Sequence, residues 1–430
     1  MGKQSKTSKS GNKTSRILMA SMVGTTIEFF DFYIYSTAAV LVFPKLFFPS
    51  SDPNSATLQS LATFALAFFA RPIGAVLFGH FGDRVGRKAT LVAALMTMGP
   101  STVAIGLLPT YESIGILAPV LLAVFRFGQG LGLGGEWGGA VLLAMENAPP
   151  GKKALYGMFP QLGAPIGFIF SSGTFLLLDR YLNDNQFLSF GWRIPFVASA
   201  ILVLVGLYVR LKLTETPDFI KVIEKNERVK VPMIKVIRWH TKALVLGTVA
   251  SITTFMLFYL MTVFSLSWGT TALHYQRSSF LTAQLISVLF FAAGIPIASV
   301  MADRFGRGNI LIGASACILA FGMFFAQMFI TGSWTLVVVF LSLGMVLMGM
   351  TYGPLGTALS EIFHPSVRYT GASLSFTLAG IFGASLAPYL GTWIAHNYGL
   401  AYVGYYLSSA SLLSLIALLF SRSAMQDDLH

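Results

Sequence analysis

Charge is scarce in this chain. Only 11% of its 430 residues are Asp, Glu, Lys or Arg, less than half of the roughly 25% found in soluble domains, and no soluble domain is visible that could house a catalytic site or a sensor output. Cysteine is nearly absent. Cys317 stands alone, which excludes an intramolecular disulfide and a thiolate metal cluster, and it reads as a small apolar packing residue. The six histidines are scattered without His-x-x-x-His spacing, so no metal site and no cofactor is expected. No G-x-x-x-x-G-K-[ST] loop occurs, which excludes pumping driven by a P-loop ATPase. Enzyme chemistry is not expected either. An intramembrane aspartyl pair as a rule places its acids on separate helices, whereas Glu28 and Asp31 share one apolar run.

Apolar residues are abundant, at 55%, and they fall into twelve runs with cores near 17–43, 57–80, 89–108, 114–146, 154–178, 192–212, 243–267, 279–302, 309–329, 334–360, 369–395 and 399–421. About 20 apolar residues cross the hydrocarbon core of a bilayer as a helix. The runs are too long for barrel strands and lack strict alternation. The first is not a cleavable signal, because Glu28 and Asp31 interrupt it and no A-x-A-like site follows. The net charge of +12 suggests nucleic acid only until the bases are located. Of the 29 Lys and Arg, Arg71 and Arg126 lie within runs, and Lys45, Arg180, Arg193 and Arg277 fall in odd-numbered connections. All the others fall in the two tails and the even-numbered connections. That asymmetry predicts cytoplasmic termini and a multi-pass protein of the bacterial cytoplasmic (inner) membrane. The basic surplus is thus a topology signal, and no nucleic-acid partner is expected. The Lys/Ser-rich residues 1–16 are expected to form a disordered tail that touches anionic lipid.

The chain repeats itself. GHFGDRVGRK (79–88) recurs in worn form as SVMADRFGRG (299–308), so that Asp83, Arg84, Gly86 and Arg87 correspond to Asp303, Arg304, Gly306 and Arg307. A second echo follows the fourth and tenth runs. Glu146 precedes Pro149, Lys153 and Gly157, and Glu361 precedes Pro365, Arg368 and Gly371. The polar stretch 213–242 separates six runs from six. The expected fold is an all-α membrane protein of twelve transmembrane helices in two pseudo-symmetric six-helix bundles, 17–212 and 243–421, with a cytoplasmic linker at 213–242 and a second cytoplasmic tail at 422–430. The linker reads equally as a plain connection or as one or two amphipathic helices at the membrane face.

Charges at membrane depth are the strongest functional signal. Each costs at least ~2.5–3.5 kcal/mol at a helix centre, so a partner or a water-filled cavity is expected. Gly24, Glu28, Asp31 and Tyr35 fall on one helical stripe of the first run. Glu28 and Asp31, with Glu136 further along the fourth run, are candidate proton carriers; their structural alternative is a permanent ion pair with Arg126 or Arg71. Arg126 shares its run with Gln129 and a glycine-rich face, and is the candidate counter-charge for a substrate carboxylate. Its structural alternative is pairing with Asp31 or Glu136 alone. Arg71 precedes Pro72, which can kink the second helix. Between 243 and 421 no charge lies well inside a run, so the second half offers only neutral groups: Tyr259, Gln284, Tyr352, Ser375 and Thr377. The proton machinery is therefore expected in the first half.

These residues resemble a known family. Gly79-x-x-x-Asp83-x-x-Gly86-Arg87-Lys88 looks like the signature loop of the major facilitator superfamily. TTIEFFDFYIY (25–35), FFARPIGAVLFGHFGDRVGRK (68–88), RFGQGLGLGGEWGGA (126–140), GWRIPF (191–196) and LTETPDF (213–219) resemble its metabolite:proton symporters, which include transporters of proline/betaine, α-ketoglutarate, shikimate and citrate. The likeness spans about 17–421. It implies a monomeric, proton-coupled symporter importing a small organic acid by alternating access. A proline/betaine-type symporter is the alternative, and an exporter, hinted at by QLGAPIG (161–167), is the less favoured one. Osmosensing relatives carry a long C-terminal coiled coil, and this chain stops nine residues after its last run. The resemblance also implies gating by Gly79, Asp83, Arg84, Gly86 and Arg87 with Glu146, and by Asp303, Arg304, Gly306 and Arg307 with Glu361 and Arg368. Asp83 would sit near helix ends and Arg87 would bridge to Glu146. Ser299 and Gly308 depart from the motif, so the second loop is expected to be the weaker latch.

Overall fold

A computed structural model describes residues 14–49, 52–85, 87–134, 137–212, 232–329, 333–364 and 367–422, and for 16, 17, 79–85, 87–91, 209, 210, 212 and 232 it describes the backbone course but not the side chains. Within these residues the chain is helical. The first three spans are Thr14–Leu41, Pro53–Val85 and Arg87–Leu107. The fourth is two pieces, Leu117–Leu133 and Trp137–Glu146. The fifth is Lys153–Tyr181, and the sixth continues from a wide π-helical turn, Phe187–Gly191, into Arg193–Lys212. In the second half the seventh span, Thr241–Thr271, contains a π-turn at Leu260–Phe264. Arg277–Phe305, Arg307–Met323 and Trp334–Ile362 follow. The eleventh span, Arg368–Tyr398, has a π-turn at Gly380–Ser385, and Leu400–Ser421 closes the set. The twelve expected spans are thus all present as helices.

Packing repeats with the sequence. The first span lies on the fifth, the second on the fourth and the third on the sixth; the seventh lies on the eleventh, the eighth on the tenth and the ninth on the twelfth. Adding six to each span of the first half gives the second. The two halves meet where the second span touches the eleventh and the fifth touches the eighth, which is the same relation once more. Close approach needs small residues. A Cβ on Gly134 would stand 2.1 Å from the Arg71 carbonyl oxygen, and one on Gly130 2.3 Å from that of Ala67. The glycine run of the fourth span is therefore what lets the second span, and Arg71 with it, lie flush.

The surface is apolar where lipid belongs. Ile201, Leu204, Phe290, Leu413 and Phe420 are exposed on span exteriors, as a bilayer-embedded bundle requires. Cys317 is also exposed, on the ninth span, so it faces outward and does not fill the core as expected. Of the stretch 213–242, residues 213–231 lie outside the described residues. Pro232–Trp239 is a short helix whose Val236 is buried with Leu244, Phe363 and Val367, while Ile234, Ile237 and Trp239 are exposed.

Candidate functional site

The interior between the halves is aromatic. Tyr33 of the first span meets Phe168 and Phe258. Phe64 and Phe68 of the second span meet Tyr259, at 5.5 and 5.6 Å between ring centroids, and Phe291 meets Tyr352. The buried charges of the first half lie against this cluster, in three distinct settings.

Arg126 is fully buried, and each of its three guanidinium nitrogens makes a hydrogen bond. Its Nη1 donates to Gln129 Oε1 at 2.5 Å, and Nε and Nη2 both donate to the Phe64 carbonyl at 3.4 Å. Its guanidinium carbon lies 3.9 Å from the Tyr35 ring centre and 4.2 Å from that of Phe32, close enough for cation–π attraction. Tyr35 in turn donates its hydroxyl to Thr63 Oγ1 at 2.9 Å. Among the described residues no carboxylate lies within ion-pair distance of Arg126, so the ion pair with Asp31 weighed above is not formed. Glu136 lies outside the described residues.

Asp31 is fully buried, and among the described residues no base lies within ion-pair distance of it. Ser199 Oγ donates to its Oδ1 at 2.5 Å, while no hydrogen-bond partner is in place for Oδ2. The neighbouring Thr102 hydroxyl gives its proton to the Met98 carbonyl at 3.1 Å and accepts from Gln129 Nε2 at 2.9 Å. The same Gln129 nitrogen reaches the Asp31 backbone carbonyl at 3.1 Å. A chain of polar contacts therefore links Asp31 to Arg126 through Gln129, from the first, third, fourth and sixth spans. Leaving an ionised carboxylate so placed is costly.

Glu28 and Arg71 share a small cavity between the halves, closed on one side by Trp137 and Phe376 and lined on the other half by Ser373 and Thr377. The Arg71 guanidinium carbon lies 4.5 Å from the Phe32 ring centre and 4.7 Å from that of Phe68. Its Nε is buried with no hydrogen-bond partner among the described residues. Glu28 and Asp31, one helical stripe in the sequence, thus open onto different surroundings. Three residues advance a helix by about 300°, which leaves 60° between them.

The floor of this cavity crosses the halves. The Trp137 ring stacks on Phe376 at 3.5 Å. Trp137 Nε1 donates to Gln161 Oε1 at 2.9 Å, and Gln161 Nε2 donates to the Tyr352 carbonyl at 2.9 Å. Gln284 is turned elsewhere. Its Nε2 donates to the Thr262 carbonyl at 2.6 Å, within the seventh span's π-turn. Sequence reasoning missed Ser199, Thr102, Trp137, Ser373 and Phe376. Only Trp137 carried a signal, as a large polar-edged ring directly after the glycine run.

Both ends of the bundle pair are bridged. At one end Asp303, in the last turn of the eighth span, accepts from the Ala154 and Leu155 backbone N–H groups, each at 2.9 Å. These are free donors in the first turn of the fifth span. Arg307 pairs with Glu361, and lies 3.7 Å from Asp303. Gly306 adopts φ +87°, a conformation suited to glycine. Arg304 is exposed and Arg368 half-buried. The second loop thus holds Asp303 to the fifth span and Arg307 to Glu361 despite Ser299 and Gly308. The side chains of Gly79, Asp83, Arg84 and Arg87, the whole of Gly86, and with them the expected bridge to Glu146, lie outside the described residues. At the opposite end Arg277 joins the halves by pairing with Asp179 at 2.5 Å and with Asp184, over the Phe187 ring at 4.1 Å.

The profile of the Major Facilitator Superfamily matches residues 21–384. The chain is 55% identical over 423 residues to the inner membrane metabolite transport protein YhjE of Escherichia coli (strain K12), covering 97% of this chain and 96% of that protein. It is 34% identical to the shikimate transporter of the same strain, over 96% of each chain. With that strain's proline/betaine transporter it shares 31% identity, over 94% of this chain and 82% of the other. Among solved structures it resembles a D-xylose–proton symporter with a TM-score of 0.70 at 18% identity, covering 96% of this chain and 98% of that one. It also resembles the partially occluded inward-open xylose transporter XylE from E. coli with a TM-score of 0.73 at 18% identity, over 95% and 97%. At that identity these structures speak for the fold alone.

Proposed function

Because the chain belongs to the Major Facilitator Superfamily and is a transporter, not an enzyme, we propose that it is a proton-coupled symporter that imports a small organic acid by alternating access across the bacterial inner membrane. In this reading the bundles are 17–212 and 243–421, joined by 213–242, and the basic residues of the tails and even-numbered connections support cytoplasmic termini. The end held by Asp303 is then the cytoplasmic one.

The observation that carries the reading is Asp31. A carboxylate at mid-span, bonded at one oxygen by Ser199 and open at the other, is a place where a proton can be held when the site closes and given up when it opens to the cytoplasm. Burial favours the neutral form and water the charged one. Glu28, in the cavity, is the second carrier to be tested. Opening inward must part Asp303 from the fifth span and Trp137 from Phe376; opening outward must part Arg277 from Asp179 and Asp184. Substrate and proton together shift the balance between these states.

Purified protein in proteoliposomes tests this. Asp31→Asn should lose uphill accumulation driven by an imposed proton gradient while keeping substrate counterflow, which needs no net proton movement. Gradient-driven accumulation by the mutant at the wild-type level would remove Asp31 from coupling.

A further inference from the structure

One exposed surface is both basic and apolar, and it belongs to the short helix Pro232–Trp239 that precedes the seventh span. From 228 to 242 the sequence carries Arg228, Lys230, Lys235, Arg238 and Lys242 and no acid. Val236 fixes the helix, buried with Leu244, Phe363 and Val367, so that it lies on the seventh and eleventh spans and turns its other side outward. Ile234, Lys235, Ile237, Arg238 and Trp239 are exposed there, as is Lys242 at the start of the seventh span. Three residues advance a helix by about 300°, so Ile234 and Ile237 form one stripe and Lys235 and Arg238 another beside it. Among the described residues none of these three bases pairs with an acid. The acids between 243 and 421 are Asp303 and Glu361, and both are engaged, by the fifth span's N–H groups and by Arg307.

The chain holds this helix at the membrane surface. His240 alone separates Trp239 from Thr241, where the seventh span begins. At that joint Trp239 exposes 79% of its surface. An indole so exposed is costly in water and favoured at headgroup depth, where its ring meets chain ends and its N–H meets polar groups. Isoleucines beside a row of bases form the pattern of a helix lying in the interface, and such bases are attracted to anionic lipid. We propose that Pro232–Trp239 and Lys242 form a binding site for anionic phospholipid. Lys235, Arg238 and Lys242 meet the headgroup phosphates, while Ile234, Ile237 and Trp239 meet the upper acyl chains. The topology above makes this the cytoplasmic leaflet. The site lies apart from the buried charges and is independent of the solute that crosses.

Full-length protein in nanodiscs, one copy per disc, tests this by quenching of tryptophan emission. The discs are phosphatidylcholine with a minor fraction of either phosphatidylglycerol or phosphatidylcholine brominated on the upper acyl chain. Wild type should be quenched more by the brominated phosphatidylglycerol, and Trp239→Phe should lose that excess. Arg238→Gln should raise the phosphatidylglycerol fraction needed for half the excess about fivefold. The triple variant Lys235→Gln, Arg238→Gln, Lys242→Gln should abolish the excess and leave quenching by brominated phosphatidylcholine unchanged, a pattern that general destabilisation would not produce. Inorganic phosphate, set against chloride at equal ionic strength, should leave the excess in place. The proposal is overturned if both lipids quench Trp239 equally, if the excess survives the triple variant, or if phosphate removes it, which would assign the bases to a free anion. It is also overturned if neither lipid quenches Trp239, which would put this face in water, open to a protein partner.

Discussion

The two halves share one packing scheme and differ in what they bury. The first half holds Glu28, Asp31, Arg71 and Arg126 in its interior, whereas the second keeps its described ion pairs at the ends, with Arg307 and Glu361 at one and Arg277 at the other. The contrast is sharpest on the paired second and eighth spans. Counting back from the repeated turn, the position of Arg71 is taken by Phe291, a buried ring against Phe258 and Tyr352. A six-helix bundle of this kind therefore needs no charge at its centre. Since each such charge is expensive in a membrane, the four in the first half are where a functional role is to be tested, and the second half sets neutral side chains such as Ser373, Phe376 and Thr377 opposite them.

The way to break this comparison most severely is to make the halves alike. Arg71→Phe, which installs the second half's residue, should reduce uptake at least about a hundredfold, or ~2.7 kcal/mol. The expressed protein should remain monodisperse by size exclusion, because the same ring is accommodated at the equivalent site. Near-normal uptake by Arg71→Phe would mean that the buried charge is dispensable.

Arg126→Lys separates the two arginines. Lysine keeps the charge but cannot reach Gln129 and the Phe64 carbonyl together, so the maximal transport rate should fall about tenfold, ~1.4 kcal/mol, through a loosened contact between the second and fourth spans. The half-saturating concentration should stay within about threefold of wild type, well inside the ~1.4 kcal/mol that a tenfold change represents. A large rise in that concentration with an unchanged rate would instead assign substrate binding to Arg126.

The ends offer a smaller contrast. Asp303 is nearly buried, and its two bonds to backbone N–H groups are charge-assisted. Asp303→Asn should slow transport about fivefold, or ~1 kcal/mol, with little change in affinity, because it acts on the conformational balance. Arg277 pairs partly with an exposed Asp184. Arg277→Gln should change the rate only about two- to threefold at low salt, within the range of exposed ion pairs, and the difference should shrink as salt rises. Equal defects at both ends, indifferent to salt, would erase the distinction between a shielded and an open latch.

Much of the fold was legible in the sequence, because apolar run lengths and a repeated charged turn are one-dimensional signals. The residues of interest were legible too, as charges where the bilayer tolerates few. What the sequence could not show was which way each one faces. Glu28 and Asp31 sit on one stripe yet meet different neighbours, since the 60° between them is the width of a packed helix contact. Gln284 reads as a polar group at mid-span, but the π-turn beside it takes its amide. Ser199 and Ser373 give no signal at all, being small hydroxyls in apolar runs. Trp137 meets Phe376 only because the halves close on one another. Arg126 drew attention by its depth, but a buried arginine's capacity depends on its partners, and those come from spans that sequence spacing cannot align.

The central claim is that Asp31 carries the proton. Its most direct test is the proton-to-substrate flux ratio in proteoliposomes, measured with a pH-sensitive dye alongside labelled substrate, for wild type and Asp31→Asn. The account predicts proton movement with substrate in wild type, and in the mutant substrate counterflow without it. Substrate-linked proton flux persisting undiminished in Asp31→Asn would contradict it.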